Sequence, residues 1–235
     1  MINIFNAATF AASADNGGGL TFEPAVMFEI NGFQIVETVT TTWVIMAILV
    51  VLSILATRNL TMVPRGLQHF FEVVIDGIHY LLDSTMGPAR RGFAAYITTL
   101  ALFLVFANLT GLIGIRQPTA DLNTTFVLSI LTFICTQFYA FKEKGLGKYV
   151  KETFFSPVPL LFPLFLVGEL ANPVSLGFRL FGNMLGGLVM MGLIYHFAPI
   201  LVPIPLHLYF DLFAGLIQTL IFVMLTMTYI TMGMD

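Results

Sequence analysis

The sequence is poor in charge and in cysteine. Only 10% of its 235 residues are Asp, Glu, Lys or Arg, 57% are hydrophobic, and Cys135 is the single cysteine. A soluble domain would carry about 25% charged residues, so a soluble globular protein is excluded. One cysteine also excludes a disulfide framework. Because Cys135 lies in an apolar run, we interpret it as a small packing residue.

Motifs of several enzyme classes are also missing. The sequence has no glycine-rich phosphate loop, no zinc-ligand spacing and no nucleophile elbow. We therefore expect no cofactor, no metal and no catalysis by the chain on its own. We also expect no nucleic-acid partner.

What dominates instead is a series of unbroken apolar runs. They are about 17–30 residues long, which is typical of membrane-spanning helices and too long for the strands of a membrane barrel. We predict an all-α polytopic membrane protein, with residues 1–39 as an extracytoplasmic segment and residues 40–235 as the membrane domain. The predicted spans cover about 40–56, 93–115, 124–141, 158–196 and 206–233, and a surface helix covers about 64–86.

Two of these segments have distinctive patterns. The surface helix is amphipathic, and its apolar stripe comprises Leu67, Phe70, Phe71, Val74, Ile75, Ile78 and Leu82. The fourth run is too long for an upright span, because even residues 164–196 would extend ~50 Å as a helix across ~30 Å of hydrocarbon. It must tilt steeply, lie partly in the membrane plane or break near Pro173. We expect a long, strongly tilted hairpin with the fifth span.

The basic residues predict the orientation. Eight of the ten follow the first and third predicted spans: Arg58, Arg65, Arg90, Arg91, Lys142, Lys144, Lys148 and Lys151. The positive-inside rule places both groups on the cytoplasmic side. The N-terminus and the turn at Arg116 then lie outside, and five spans leave the C-terminus inside. Residues 1–40 contain no Lys or Arg, so a signal peptide is not expected.

The tenth basic residue, Arg179, lies inside the fourth predicted span. A guanidinium in hydrocarbon costs at least ~2.5–3.5 kcal/mol and cannot escape by losing its proton. A structural ion pair with Glu169 or Asp211 is the alternative, but such a pair loses hydration without adding much stability. Arg179 is therefore our first candidate for a functional residue.

Polar residues follow Arg179 along one helical face and recur on the last span. Asn172, Ser175, Arg179, Asn183 and Gly186 are three or four residues apart, and the second stripe comprises His207, Asp211, Gln218, Thr226 and Tyr229. Antiparallel pairing would bring Gln218 near Arg179 and displace Asp211 toward the outer surface. We interpret Asn108 and Thr110 as interhelical packing. For His196 and His207, a position at the membrane interface without a function is as good an explanation as a functional role.

The stretch Pro173-Val-Ser-Leu-Gly-Phe-Arg-Leu-Phe-Gly-Asn-Met184 resembles the a subunit of the F-type ATP synthase, the membrane stator that faces the rotating c-ring. Two further matches are Pro118-Thr-Ala-Asp-Leu-Asn123 and Gln218 within Leu216-Ile-Gln-Thr-Leu-Ile-Phe222. The resemblance covers the chain from about Arg58 to the C-terminus.

The resemblance implies roles for individual residues. Arg179 would be the stator arginine that faces each passing c-ring carboxylate, with Gln218 beside it. The ion path would include Asn183 and Ser175, with Asn172, His207 and Glu169 as further candidates. Many members carry a glutamate nine residues after the arginine, where this chain has Leu188. Asp211 would then serve the outer access channel.

It also implies an assembly and a location. The partners would be a c-ring of small helical hairpins, peripheral-stalk b subunits, the soluble ATPase sector and membrane lipid, in a bacterial plasma (inner) membrane. The transported ion would be H⁺ or Na⁺. The alternative is a stand-alone ion channel or secondary transporter, which would need its own gate and usually an internal repeat. A purely structural anchor would leave Arg179 unexplained.

Overall fold

The computed structural model describes residues 26–30, 33–58, 66–145, 162–197 and 202–234. Its strands are β1 (Val26–Ile30) and β2 (Phe33–Val36), and its helices are α1 (Glu37–Thr57), α2 (Leu67–Thr85), α3 (Ala94–Leu109), α4 (Leu122–Lys144), α5 (Phe162–Phe197) and α6 (Pro203–Met234). Short 3-10 turns at Pro88–Phe93 and Thr110–Ile113 flank α3, and another at Pro118–Ala120 precedes α4. Within α6, the segment Leu208–Ala214 is π-helical.

In the described part of the chain, five helices are long and apolar enough to cross a membrane: Glu37–Thr57, Pro88–Ile113, Leu122–Lys144, Val167–Tyr195 and Pro203–Met234. The prediction of an all-α polytopic membrane protein is confirmed. The strands add a small antiparallel hairpin just before α1. Parts of other predictions lie outside the described residues, namely residues 1–25, the basic residues Arg65, Lys148 and Lys151, the start of the fourth predicted span at 158–161, and the side chains of Leu67 and His196.

Local sequence explains how α4 begins and ends. Pro118 opens the preceding 3-10 turn, where its missing N–H is not needed. Asp121 then caps the helix, because its Oδ1 accepts a 3.0 Å hydrogen bond from the backbone N–H of Asn123. Gly145 ends α4 at φ +77°, a conformation that favours glycine.

The α5 helix is continuous over 36 residues and contains Pro173 in its interior. The described residues therefore exclude a helix break at that proline, one of the three arrangements considered from the sequence. At 1.5 Å per residue α5 extends ~54 Å. The hydroxyl of Ser129 on α4 donates a hydrogen bond to the Pro173 carbonyl and so ties the two helices together.

Two apolar clusters hold the bundle together. One joins α2 to α3 and α6 and contains Ile78, Leu82, Met86, Ile97, Ala101, Val223, Met227, Ile230 and Met234. The other joins α3 to α5 and α6 and contains Leu100, Leu104, Leu176, Leu180 and Phe222. Together they make α6 the central helix, against which the polar residues of α5 are positioned.

The amphipathic helix α2 uses only part of its apolar surface in the bundle. Ile78 and Leu82 are buried, whereas Phe70 is exposed. At the end of α2, Asp83 receives two hydrogen bonds from Arg91, at 2.7 and 3.0 Å, and these lower the pKa of the Asp83 carboxyl. Since this pair is exposed, it contributes little to stability.

Candidate functional site

Arg179 lies on an exposed face of α5, within the candidate span Val167–Tyr195. Asn172, Ser175 and Asn183 share that exposed face. Arg179 makes no hydrogen bond or ion pair with any residue in the described ranges. A permanent cation at membrane depth needs compensation, so the arrangement calls for an acidic partner from outside the described residues.

One helical turn beyond Arg179, the amide of Asn183 contacts Gln218 on α6. Asn183 Nδ2 donates a 2.5 Å hydrogen bond to Gln218 Oε1. Gln218 is only 2% exposed, and its Nε2 has no acceptor among the described residues. A buried donor without an acceptor costs stability, so Gln218 has hydrogen-bonding capacity left over beside the exposed face.

The two carboxylates that could have paired with Arg179 are bound elsewhere. Asp211 Oδ2 lies 2.5 Å from His207 Nδ1, and Asp211 Oδ1 accepts a 2.8 Å hydrogen bond from Gln117 Nε2. Glu169 Oε2 accepts a 2.5 Å hydrogen bond from Gln137 Nε2. The predicted absence of an Arg179 ion pair therefore agrees with the geometry.

A chain of hydrogen-bonding groups leads away from Asp211, which lies in the π-helical segment of α6. His207 Nε2 is 2.6 Å from the hydroxyl of Tyr195, near the end of α5. Tyr195 is 40% exposed, so this series of hydrogen-bonded groups reaches the surface of the subunit. π-Helical segments such as the one that contains Asp211 are rare and often occur at functional sites. Tyr195, His207 and Asp211 can together pass a proton inward.

On the other side of Asp211, hydrogen bonds continue through Gln117 to Asn108, which is buried in α3. Asn108 Nδ2 donates to the carbonyl of Gly215 at 3.0 Å and to the hydroxyl of Thr219 at 3.1 Å, while its Oδ1 accepts from Thr119 at 2.7 Å. A β-carbon on Gly215 would lie 3.0 Å from Asn108 Cβ, so the glycine permits this close approach. Asn108 therefore holds α3, α6 and the 3-10 turn before α4 in one arrangement.

A cavity of about 230 Å³, lined by both polar and apolar residues, lies near the other end of α5, between α4, α5 and α6. Its polar lining includes Ser129, Thr132, Thr136, Gln137, Glu169 and Asn172. Along α5, Glu169 precedes Arg179 by ~15 Å and Tyr195 follows Arg179 by ~24 Å, from the helical rise. The two polar clusters are therefore offset to opposite sides of Arg179.

Arg116 lies at the same end of the bundle as Asp211. Burial lowers the pKa of the Arg116 guanidinium, and the nearby carboxylates of Glu37 and Asp121 oppose that shift. The hydroxyl of Thr38 donates to Asp121 at 2.8 Å. These contacts join the start of α1 to the start of α4.

Comparison with known proteins identifies the family. The family described as ATP synthase A chain matches residues 39–231. The chain belongs to this family. It is 40% identical to "ATP synthase subunit a, sodium ion specific" of Propionigenium modestum, over 86% of this chain and 75% of that protein. It is 38% identical to ATP synthase subunit a of Moorella thermoacetica, over 88% of this chain and 94% of the relative. It is 41% identical to ATP synthase subunit a 2 of Syntrophotalea carbinolica, over 90% of each chain.

Membership confirms the resemblance on which the sequence interpretation depended. The chain is the ion-translocating stator subunit of an ATP synthase and forms part of a complex with other subunits. None of the comparisons favours a stand-alone channel or secondary transporter. The roles of individual residues stay predictions.

The structure also brings in residues that the sequence did not single out. Gln117 and Tyr195 contact the Asp211–His207 pair, and Gln137 contacts Glu169. Asn108, interpreted as packing, is a hydrogen-bonding center as well. The only signal for Gln117 was its position directly before the Pro118 motif.

Proposed function

We propose that Arg179 acts on each c-ring carboxylate as the ring passes the exposed face of α5. The observation that carries the proposal is a permanently charged side chain on the outside of a candidate span, with no partner in the described part of the chain. A c-ring carboxylate supplies the missing anion. Such a carboxylate must be neutral, either protonated or bound to Na⁺, while it faces lipid.

The route of the transported ion follows from electrostatics. Near the Arg179 guanidinium the ionised carboxylate is favoured, so the bound H⁺ or Na⁺ leaves. The same fixed charge repels a cation that would otherwise pass directly between the two sides. An ion must therefore travel around with the ring. One elementary charge crossing 100 mV releases ~2.3 kcal/mol, which drives the rotation.

The offset polar clusters serve as the two half-channels. The outer one includes Tyr195, His207 and Asp211, which are connected by hydrogen bonds that start at Tyr195, an exposed residue. The inner one is the cavity beside Glu169, with Asn172 and Ser175 between it and Arg179 on the exposed face of α5. Asn183 and Gln218 lie next to Arg179, between the two half-channels, and contact each other there.

The orientation and the partners complete the proposal. The N-terminus lies outside and the C-terminus in the cytoplasm of a bacterial plasma membrane, as the sorting of basic residues indicates. The c-ring occupies the exposed face of α5. Peripheral-stalk b subunits and the soluble ATPase sector attach to the same complex, and lipid covers the apolar outer surface of α1.

Purification and reconstitution test this function. The tagged chain should co-purify with small helical-hairpin subunits and a soluble ATPase, and vesicles that contain the complex should take up H⁺ or Na⁺ when ATP is added. Vesicles that contain only this chain should not conduct either ion. Ion conduction by the chain alone would identify a stand-alone channel and contradict the proposal.

A further inference from the structure

Gln117 contacts Asp211 from outside the helix hairpin. It lies in the connection between α3 and α4, is only 6% exposed, and donates from Nε2 to Asp211 Oδ1 at 2.8 Å. The same nitrogen donates to the backbone carbonyl of Asn108 at 2.9 Å. Both hydrogens of the amide nitrogen are therefore engaged. Because both partners are acceptors, the amide must present its nitrogen rather than its oxygen to them.

Gly111 makes room for this contact. A β-carbon at position 111 would lie 2.2 Å from Gln117 Nε2 and 2.6 Å from Asp211 Oδ1. Both distances are far below a normal nonbonded contact, so a side chain there would have to displace the amide or the carboxylate. The bare backbone of Gly111 is thus part of the arrangement that brings Gln117 to Asp211.

The anchor of Gln117 is itself fixed. Asn108 is 1% exposed, and its side chain is held by Gly215, Thr219 and Thr119 through three hydrogen bonds. The amide of Gln117 is therefore presented to Asp211 by a rigid support. Such support of a functional group by a second layer of contacts restricts its orientation.

This geometry makes the two oxygens of Asp211 unequal. A proton on Oδ1 would point at an N–H donor, whereas a proton on Oδ2 lies between Asp211 and His207. Without the Gln117 donor, a proton could remain on Oδ1, away from His207. Among the described residues, the titratable groups that face this carboxylate are His207 from its own helix and Tyr195 from α5, through His207.

We propose that Gln117 is a positioning residue for ion entry: it holds Asp211 with Oδ1 blocked, so that Asp211 gains and loses its proton only through Oδ2 and His207. This inference rests on the proposed role of Asp211 in the outer half-channel. It adds that Gln117, a neutral residue in the connection between α3 and α4, determines which oxygen of Asp211 exchanges the proton. It also adds that Gly111 is required for the contact between Gln117 and Asp211.

The test uses the complete complex in vesicles and measures ATP-driven ion uptake between pH 5 and 9, expressed per assembled complex. Gln117→Met keeps a similar volume and removes the donor. We expect at least a threefold lower rate at pH 6 and an acid limb of the pH–rate profile moved to higher pH by about one unit, which equals a tenfold change in proton binding. Gly111→Ala should give the same shift with Gln117 still present.

Thr119→Val is the matched control, because it removes a buried hydrogen bond to Asn108 from the same turn without touching Asp211. It should lower assembly and shift the pH profile less than Gln117→Met does, because Gln117 is bound to the backbone carbonyl of Asn108 and the other two side-chain hydrogen bonds of Asn108 remain. A profile shift of equal size in Thr119→Val would reduce Gln117 to a structural residue. If Gln117→Met does not assemble, Gly111→Ala decides the question.

Asp211→Asn distinguishes the proposed role of Asp211 from the proposed role of Gln117. If Asp211→Asn transports ions at the normal rate, the proposed role of Asp211 is wrong. If Asp211→Asn is slow but Gln117→Met and Gly111→Ala keep the wild-type profile, the role of Asp211 stands and the inference about Gln117 is overturned.

Discussion

The carboxamide of Asn183 donates a 2.5 Å hydrogen bond to the carboxamide oxygen of Gln218, one turn beyond Arg179. Asn183 is exposed, whereas Gln218 is buried. The bond therefore connects the outer face of α5 to the interior of α6. It leaves Gln218 Nε2 without an acceptor in the described part of the chain, so we expect an acceptor from outside the described residues.

The Asn183–Gln218 bond predicts an asymmetric mutational effect. Asn183→Ala should destabilise the complex by about 1 kcal/mol, because it leaves the buried Gln218 oxygen unpaired as well. Asn183→Leu combined with Gln218→Met should be close to wild type, since both polar partners are then replaced. Thermal dissociation of the detergent-solubilised complex measures this. A double variant as unstable as Asn183→Ala would contradict the prediction.

Asn108 should be a strong determinant of assembly. Asn108→Ala removes three side-chain hydrogen bonds and strands the buried hydroxyl of Thr119. Unsatisfied buried groups cost about 1–3 kcal/mol each, so the amount of assembled subunit in membranes should fall severalfold. Asn123→Ala is the control, because the Asn123 side chain is exposed. Equal losses in the two variants would show that the contacts of Asn108 carry no special weight.

The helices were predictable because length and composition decide them. Runs such as Glu37–Thr57 are apolar on all sides, and no soluble arrangement accommodates that pattern. The periodicity of α2 was less informative about which of its apolar side chains are buried. Its predicted apolar stripe contains both Ile78, which is buried, and Phe70, which is 61% exposed. Hydrophobicity cannot distinguish contact with protein from contact with lipid.

Spacing along one helix located part of the candidate site. His207 and Asp211 are four residues apart and do contact each other. Gln117 and Asp211 are 94 residues apart, and only the turn before α4 brings them together. Such a contact depends on turn geometry and on the missing side chain of Gly111, so periodicity within a span cannot reveal it.

The orientation can be tested by labelling. In a Cys135→Ser background, a cysteine introduced at Ser13 should react with a membrane-impermeant maleimide on intact cells. A cysteine at Glu143, which is exposed near the end of α4, should react only in inverted vesicles. The reason is the grouping of eight basic residues after two of the spans. Labelling of position 143 on intact cells would refute the proposed topology.

Asp211→Asn should slow ion transport about tenfold or more and leave assembly intact. Asparagine keeps the shape and can still offer an oxygen to Gln117, but it cannot exchange a proton with His207. Asp83→Asn makes the same chemical change in an exposed surface pair and serves as the control. Poor assembly with a normal transport rate per complex would assign Asp211 a structural role instead.

Arg179→Ala should abolish ion-coupled ATP synthesis while the complex still assembles. Removing the side chain strands no partner, because Arg179 has no hydrogen bond or ion pair within the described ranges. Arg179→Lys should fail as well, since an ammonium is a compact point charge without the planar fork of a guanidinium. Arg58→Ala removes an exposed arginine just after the candidate span Glu37–Thr57 and should behave as wild type. ATP synthesis in reconstituted vesicles under an imposed ion gradient measures all three variants. Normal synthesis by Arg179→Ala would show that the c-ring carboxylate does not depend on this cation.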